Sequence, residues 1–214
     1  MSLFITFEGG EGAGKSTQAR ALHQRLSSKG IPALLTHEPG GTPLGREIRR
    51  WLKGERNNET GDVDPLAELL LFNASRAELV SNVIQPALKS GITVICDRFY
   101  HSTVAYQGYG RGLSIDLIEA VNNIATGGLK PDLTVFLDLT IEHGLSRKKP
   151  RDRFEREEPD FHKRVRQGYL MIVKKDPERW LVIDGSLPKK EIESLILERI
   201  GQFLPKVVKR VEKK

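Results

Sequence analysis

The segment Gly9-Gly10-Glu11-Gly12-Ala13-Gly14-Lys15-Ser16 matches G-x-x-x-x-G-K-[ST], the spacing of a phosphate-binding loop. Glycines let the backbone curl so that successive N–H groups point inward at anionic oxygens. Lys15 then reaches the terminal phosphates of a nucleotide, and the Ser16 hydroxyl ligates Mg²⁺. A second candidate is Asp97, which follows the apolar run Ile92-Thr93-Val94-Ile95-Cys96. A buried strand that delivers a carboxylate at its C-terminal end has the Walker B form. A third is the stretch Arg147 to Arg156, where Arg147, Lys148, Lys149, Arg151, Arg153 and Arg156 crowd together with only Asp152 and Glu155 as acids. A charge run is ordinarily a solvated face. Here the loop positions Gly10 to Ala13 carry no cation, and phosphoryl transfer needs cations around the migrating group. The basic stretch therefore reads as a closing lid.

Five short apolar runs supply the scaffold: Leu3–Phe7, Ala33–Thr36, Ile92–Cys96, Leu133–Leu137 and Trp180–Ile183. They alternate with helical patterns over Lys15–Lys29, Thr42–Lys53, Asp64–Ile84, Ser114–Ala125, Asp160–Lys175 and Lys189–Phe203. Buried strands alternating with helices predict a three-layer α/β fold of P-loop NTPase type, a five-stranded parallel sheet with helices on both faces. Thr42-Pro43 and Asp64-Pro65 are cap pairs that open helices, and Pro86 is expected to end or kink the long one. Ligands of open parallel sheets lie beyond the carboxyl ends of the strands, where Gly9, Glu38 and Asp97 fall. The polar stretch Gly54–Asp64 reads as a loop, and the tail Lys206–Lys214 as a charged end.

The chain has 214 residues, with 34 basic and 28 acidic side chains and a net charge of +6. That length suits one domain, 1–214, with a lid at about 146–157. The basic balance points to anionic partners without choosing among them. No apolar run reaches the ~18 residues of a membrane span, and the opening Met1-Ser2-Leu3 lacks the layout of a signal peptide. The lone Cys96 excludes a disulfide framework and a cysteine-clustered zinc site, so a cytoplasmic setting is expected. The five histidines, His23, His37, His101, His143 and His162, are scattered and form no metal or triad pattern. No Asn-Lys-x-Asp segment is present to read guanine.

Taken together the motifs resemble the thymidylate kinase family. Phe7 to Thr17 resembles its P-loop, Glu38-Pro39-Gly40-Gly41-Thr42 its second loop, and Asp97-Arg98-Phe99 its Asp-Arg-aromatic motif. Ser102 to Arg111, with Ala105-Tyr106-Gln107-Gly108, resembles the segment that follows, and Arg151-Asp152-Arg153-Phe154-Glu155 the lid of the bacterial subgroup, in which the lid rather than the P-loop supplies the arginine. The resemblance implies phosphorylation of dTMP to dTDP with Mg²⁺-ATP, a step in dTTP biosynthesis, by a cytoplasmic homodimer that needs neither nucleic acid nor membrane. It implies that Gly9, Gly10, Glu11, Gly12, Ala13, Gly14, Lys15, Ser16 and Thr17 bind ATP, and that Ser16 and Asp97 serve the metal, Asp97 through water or directly. Arg98 would grip the acceptor phosphate, with Lys15, Glu11 and a lid arginine, Arg153 ahead of Arg151 and Arg147, completing the catalytic set. Phe72 would stack on thymine and Arg76, four residues on, would bond its edge; helical spacing alone makes Phe72 a core residue. Tyr106 would crowd a 2′-hydroxyl, and Glu11 would approach the 3′-hydroxyl or the metal shell. Glu38, Thr103 and Gln107 join the acceptor site, and Arg49 reads equally as a phosphate contact or an exposed helix residue. Two other readings fit the P-loop: a kinase for another small acceptor such as UMP or CMP, and a nucleic-acid-binding ATPase. The second lacks the aromatic interleaving of strand-stacking surfaces.

Overall fold

Five strands pair in parallel in the order β2-β3-β1-β4-β5 in the computed structural model, which describes residues 2–54, 63–146 and 152–203. They are β1 (Phe4–Glu8), β2 (Ala33–His37), β3 (Thr93–Asp97), β4 (Leu133–Asp138) and β5 (Trp180–Asp184). All five predicted strands are present. Each runs one residue further than its apolar run, onto Glu8, His37, Asp97, Asp138 or Asp184. Hydropathy stops at a polar side chain, whereas the parallel hydrogen-bond ladder continues past it. The register sets Phe7 beside Asp97 and Glu8 beside Phe136, so these polar ends share one edge of the sheet.

Alternation along β1 builds two cores. Ile5 and Phe7 face α1 (Lys15–Ser28) and the closing helix, whose Leu22, Leu26, Ile192 and Ile196 pack on them. Phe4 faces the other way, against Leu79, Ile84 and Phe99. The remaining helices are α2 (Pro43–Lys53), α3 (Pro65–Leu79), α4 (Gln85–Lys89), α5 (Tyr100–Thr103), α6 (Ile115–Thr126), α7 (Ile141–Ser146), α8 (Pro159–Lys175) and α9 (Lys189–Phe203). The two cap pairs form: Thr42 Oγ1 accepts from Gly45 N–H at 3.0 Å, and Asp64 Oδ1 from Leu66 and Ala67 N–H at 2.9 and 3.2 Å.

Pro86 neither ends nor breaks the long helix. The turn before it, Val80–Ile84, widens to π-helical pitch, and Pro86 enters the first turn of α4. Widening that turn accommodates the ring and the missing N–H, which an unbroken α-helix would not. Apolar period alone also missed α7 and the helical run from Tyr100 to Gly110, whose second half, Val104–Gly110, is again π-helical. Most of the polar stretch 54–64, the lid residues Arg147, Lys148, Lys149, Pro150 and Arg151, and the tail from 204 onward lie outside the described residues.

Candidate functional site

The carboxyl edge of the sheet opens into a cavity of about 950 Å³ lined by the P-loop, Glu38, Pro39, Arg49, Lys53, Phe72, Asp97, Arg98, Ser102, Thr103, Tyr106 and Gln107. At its rear the loop leaves β1 and enters α1 through Gly14, in the left-handed region at φ 94°. A side chain at Gly9, φ 143°, would place its Cβ 2.6 Å from Leu137 O, and one at Gly12 would overlap the carbonyl of Gly144 on α7. These two close approaches require glycine. Lys15 Nζ donates to Gly9 O at 2.9 Å and Gly10 O at 2.6 Å. Burial, then the Arg98 charge, lowers its ammonium to about 8, although Glu11, Asp97 and Glu8 pull the other way. Ser16 Oγ donates directly to Asp97 Oδ2.

Arg98 also lines the cavity. Its backbone, at φ 72°, is the single non-glycine residue with positive φ among those described. Such a conformation costs about 1–3 kcal/mol and collects at functional sites. It turns the guanidinium back over the loop. Nη2 donates to Glu11 Oε1 at 2.6 Å and Tyr106 OH at 3.1 Å, and Nη1 to Gly9 O and Ser102 Oγ at 3.2 Å each. Burial alone would raise the Glu11 carboxyl, but Arg98 and Lys15 outweigh it and hold the group at about 2. Beneath lies Glu8, fully buried, whose Oε2 accepts from Ser102 Oγ at 2.6 Å and Tyr169 OH at 2.9 Å, and whose Oε1 accepts from Phe99 N–H at 2.8 Å. Burial raises its carboxyl, against the hydrogen bond from Ser102 and the charge of Arg98. Sequence reading missed Glu8 and Tyr169. The available signal was a carboxylate closing an otherwise apolar strand directly before the P-loop.

The front of the cavity differs from expectation in two places. Arg76, predicted to bond a base edge, is 1% exposed and does not line the cavity. Its Nε and Nη2 hold Glu38 Oε2 at 2.9 and 2.8 Å, and Nη1 donates to Asn73 Oδ1, Thr103 Oγ1 and Asn122 Oδ1. Its role here is to fix the wall, because its donors are turned inward by acceptors from the loop after β2 and from three helices. Glu38, which does line the cavity, is lifted by burial to about 7 despite Arg76, and its Oε1 has no hydrogen-bond partner among the described residues. Thr103 Oγ1 is likewise spent internally, 2.7 Å from Tyr100 O. Arg49 does line the cavity, with Nη1 donating to Pro39 O at 3.0 Å.

The second difference is Arg153, the favoured phosphate-reaching arginine. It does not line the cavity. Its Nη2 donates to Glu68 Oε2 on α3 at 2.5 Å, and its Nε to Leu52 O at 3.3 Å. Glu68, a residue the motifs did not flag, is completely buried and outcompetes the solvated cavity for that guanidinium. Neighbouring lid residues do reach the cavity: Asp152 pairs with Lys53 Nζ at 2.7 Å, and the Phe154 ring lies 5.8 Å from that of Phe72. Phe72 is thus half in the cavity wall and half in the core. Gln107 Nε2 donates to Glu68 Oε1 at 2.6 Å, leaving Gln107 Oε1 without a partner among the described residues.

The P-loop, Arg98 and the aromatic rings of Phe72 and Phe154 thus line one cavity. Comparison with known proteins gives the family. The thymidylate kinase family model matches residues 7–196. A thymidylate kinase of Dehalococcoides mccartyi is 54% identical over 206 residues, covering 95% of this chain and 98% of the relative. One from Deinococcus radiodurans is 46% identical, covering 94% and 97%. The crystal structure of thymidylate kinase from Ehrlichia chaffeensis superposes with a TM-score of 0.77 at 34% identity, covering 93% of this chain and 98% of that one. With the family model spanning residues 7–196, and relatives this similar along nearly their whole length, the chain belongs to the thymidylate kinase family.

Proposed function

We propose that residues 1–214 act as one kinase domain that transfers the γ-phosphoryl group of ATP to dTMP. An oxygen of the dTMP 5′-phosphate attacks the γ-phosphorus, the bond to the bridging oxygen of ADP breaks, and dTDP and ADP leave. The observation that carries this reading is Arg98, poised between the P-loop and the Phe72 wall. Its planar fork suits the oxygens of the acceptor phosphate, which takes over the bonds now made to Glu11 and Tyr106. Lys15 and the inward N–H groups of residues 9–17 hold the donor phosphates. Glu11 and Tyr106 face the sugar, and Phe72 stacks on the base. Ser16 and Asp97 place a hydroxyl and a carboxylate in direct contact, a hard-oxygen pair that fits Mg²⁺, an ion that shares its shell with substrate phosphates. These two residues would hold it, and when bound it neutralises charge on the phosphate oxygens.

Base choice follows from Gln107. A carbonyl oxygen left without a donor accepts from the N3–H of thymine or uracil, whereas N3 of cytosine is itself an acceptor. With ATP as donor, kcat/KM should rank dTMP first. It should rank dUMP within about 10–200-fold, because only a methyl contact is lost, and UMP and dCMP far behind. UMP or dCMP matching dTMP in that panel would overturn the assignment.

Lys15 gives the site a pH signature. Its ammonium titrates at about 8 in the free protein, and donor phosphates favour the charged form. ATP affinity should be flat below pH 8, then weaken by up to about tenfold per pH unit above it as binding draws in a proton. Titration calorimetry at pH 9 in buffers of different ionisation enthalpy should show that uptake; none would remove Lys15 from the phosphate site.

Assembly as a homodimer completes the proposal. The outer stripe of α3, Leu66, Ala67, Leu70, Ala74 and Ala77, is exposed and wholly apolar, and α6 beside it exposes Leu117, Ala120 and Ile124. A self-complementary apolar face suits a second copy, and sedimentation at the mass of one chain would refute it. No helix among the described residues is long and apolar enough to cross a membrane; a cytoplasmic setting, where ATP and deoxynucleotides are found, belongs to the same proposal.

A further inference from the structure

Glu68 lies one helical turn before Phe72 on α3 and is 0% exposed. Its carboxylate gathers three groups from two segments, Gln107 and Arg111 at one helical run and Arg153 beyond it. Oε1 accepts from Gln107 Nε2 at 2.6 Å and from Arg111 Nε at 3.3 Å. Oε2 accepts from Arg153 Nη2 at 2.5 Å and from Arg111 Nη2 at 3.4 Å. Arg111 Nη2 in turn meets Glu157 Oε1 at 2.6 Å. Every group that meets this carboxylate is a donor, two guanidinium groups and an amide NH₂, so both of its oxygens act as acceptors. That has a consequence for Gln107, whose amide has a donor face and an acceptor face of nearly identical shape. Against a carboxylate the NH₂ face is the one that can bond; the reverse orientation would set a carbonyl oxygen against carboxylate oxygen. Gln107 Oε1 is therefore turned away from Glu68; it is buried in the wall of the cavity that Gln107 lines and lacks another partner among the described residues, so a base seated against that wall would supply the missing donor.

We propose that Glu68 is a positioning residue for base selectivity: it locks the Gln107 amide in the one orientation that presents an acceptor to a pyrimidine N3–H. The inference rests on the reading of Gln107 as a base contact. It assigns to a side chain that never touches substrate the discrimination between thymine and cytosine. In Glu68→Gln the new amide offers both a donor and an acceptor, so either orientation of Gln107 is satisfied and either ring can be met.

The test compares kcat/KM for dTMP and dCMP in four variants of the full chain. Glu68→Gln should lower the dTMP-to-dCMP ratio at least tenfold, with dCMP gaining in absolute terms, while kcat at saturating dTMP stays within a few-fold. Glu68→Asp keeps a carboxylate facing the amide and should restore most of the ratio. Arg153→Met loosens the same cluster without freeing Gln107; it should raise KM for dTMP and leave the ratio unchanged. An unchanged ratio in Glu68→Gln overturns the inference. So does an equal collapse in Glu68→Asp or in Arg153→Met, which would mean general loosening. Should Glu68→Gln not fold, these last two variants decide: a ratio kept in both supports the lock, and one lost in either refutes it. Gln107→Ala separates the underlying reading: if its ratio equals that of the unmodified chain, Gln107 does not read N3 at all, whatever Glu68 does.

Discussion

Replacing Arg147 and Arg151 one at a time by alanine is expected to find one whose loss lowers kcat by about 10³–10⁵ while KM for dTMP changes only a few-fold, the mark of an interaction made mainly in the transition state. The P-loop supplies one cation, Lys15, because Gly10, Gly12 and Ala13 have no charged side chain to offer. Arg98 is bonded to Glu11 and Tyr106, and Arg153 is held by Glu68. Two described segments flank the basic stretch in the sequence. On one side Gly144 of α7 abuts the backbone of the P-loop, where an added Cβ would come within 2.5 Å of Glu11 O. On the other, Asp152 and Phe154 line the cavity. The missing cation is therefore sought at Arg147 and Arg151, which lie in the sequence between those two segments. Single-turnover rates with ATP and dTMP make the measurement. Less than tenfold loss at both positions would mean that the cation comes from elsewhere.

Arg98→Ala should damage catalysis and folding together, and the two effects separate by pH. Losing the guanidinium proposed to grip the acceptor phosphate should lower kcat/KM for dTMP by about 10³, with ATP affinity nearly unchanged. The same change strands Glu11 and weakens the support of Glu8, both deep in the site. Breaking a buried pair costs about 3–5 kcal/mol where no water can enter. This one opens on a cavity, so a Tm lower by about 5–10 °C at pH 7 is expected. The pH dependence carries the sign. In the parent, Glu11 titrates at about 2 when folded against 4.5 for an unperturbed carboxyl; its stabilisation is complete above 4.5 and lost as pH falls toward 2. In Arg98→Ala burial acts with less opposition, so that contribution is absent from the start. The gap in Tm between the two proteins should therefore narrow as the pH is lowered from 4.5 toward 2. A gap that widens there would show that Arg98 stabilises through packing rather than charge.

The P-loop and the five strands were legible because their signals are local. Gly-x-Gly-Lys-Ser spacing sets backbone curl over eight residues, and a run of β-branched and aromatic residues buries itself in any parallel sheet. The helix caps at Thr42 and Asp64 and the closing helix Lys189–Phe203 were legible for the same reason. The roles of Arg153 and Arg76 were not. The family resemblance assigned both a ligand, but what a guanidinium binds depends on which carboxylate the fold brings to it. Arg153 meets Glu68 from 85 positions away, Arg76 meets Glu38 from 38, and Gln107 meets Glu68 from 39. Glu68 and Glu8 read in the chain as an ordinary helix acid and the polar end of a strand. Only packing removed both from water, and a carboxylate without water takes every donor within reach. The sequence by itself determined that this chain has a parallel sheet with a phosphate cradle at its carboxyl edge. The tertiary structure decided which charges face the cradle and which are spent holding its walls, because buried charges choose partners by proximity in space and not by spacing along the chain.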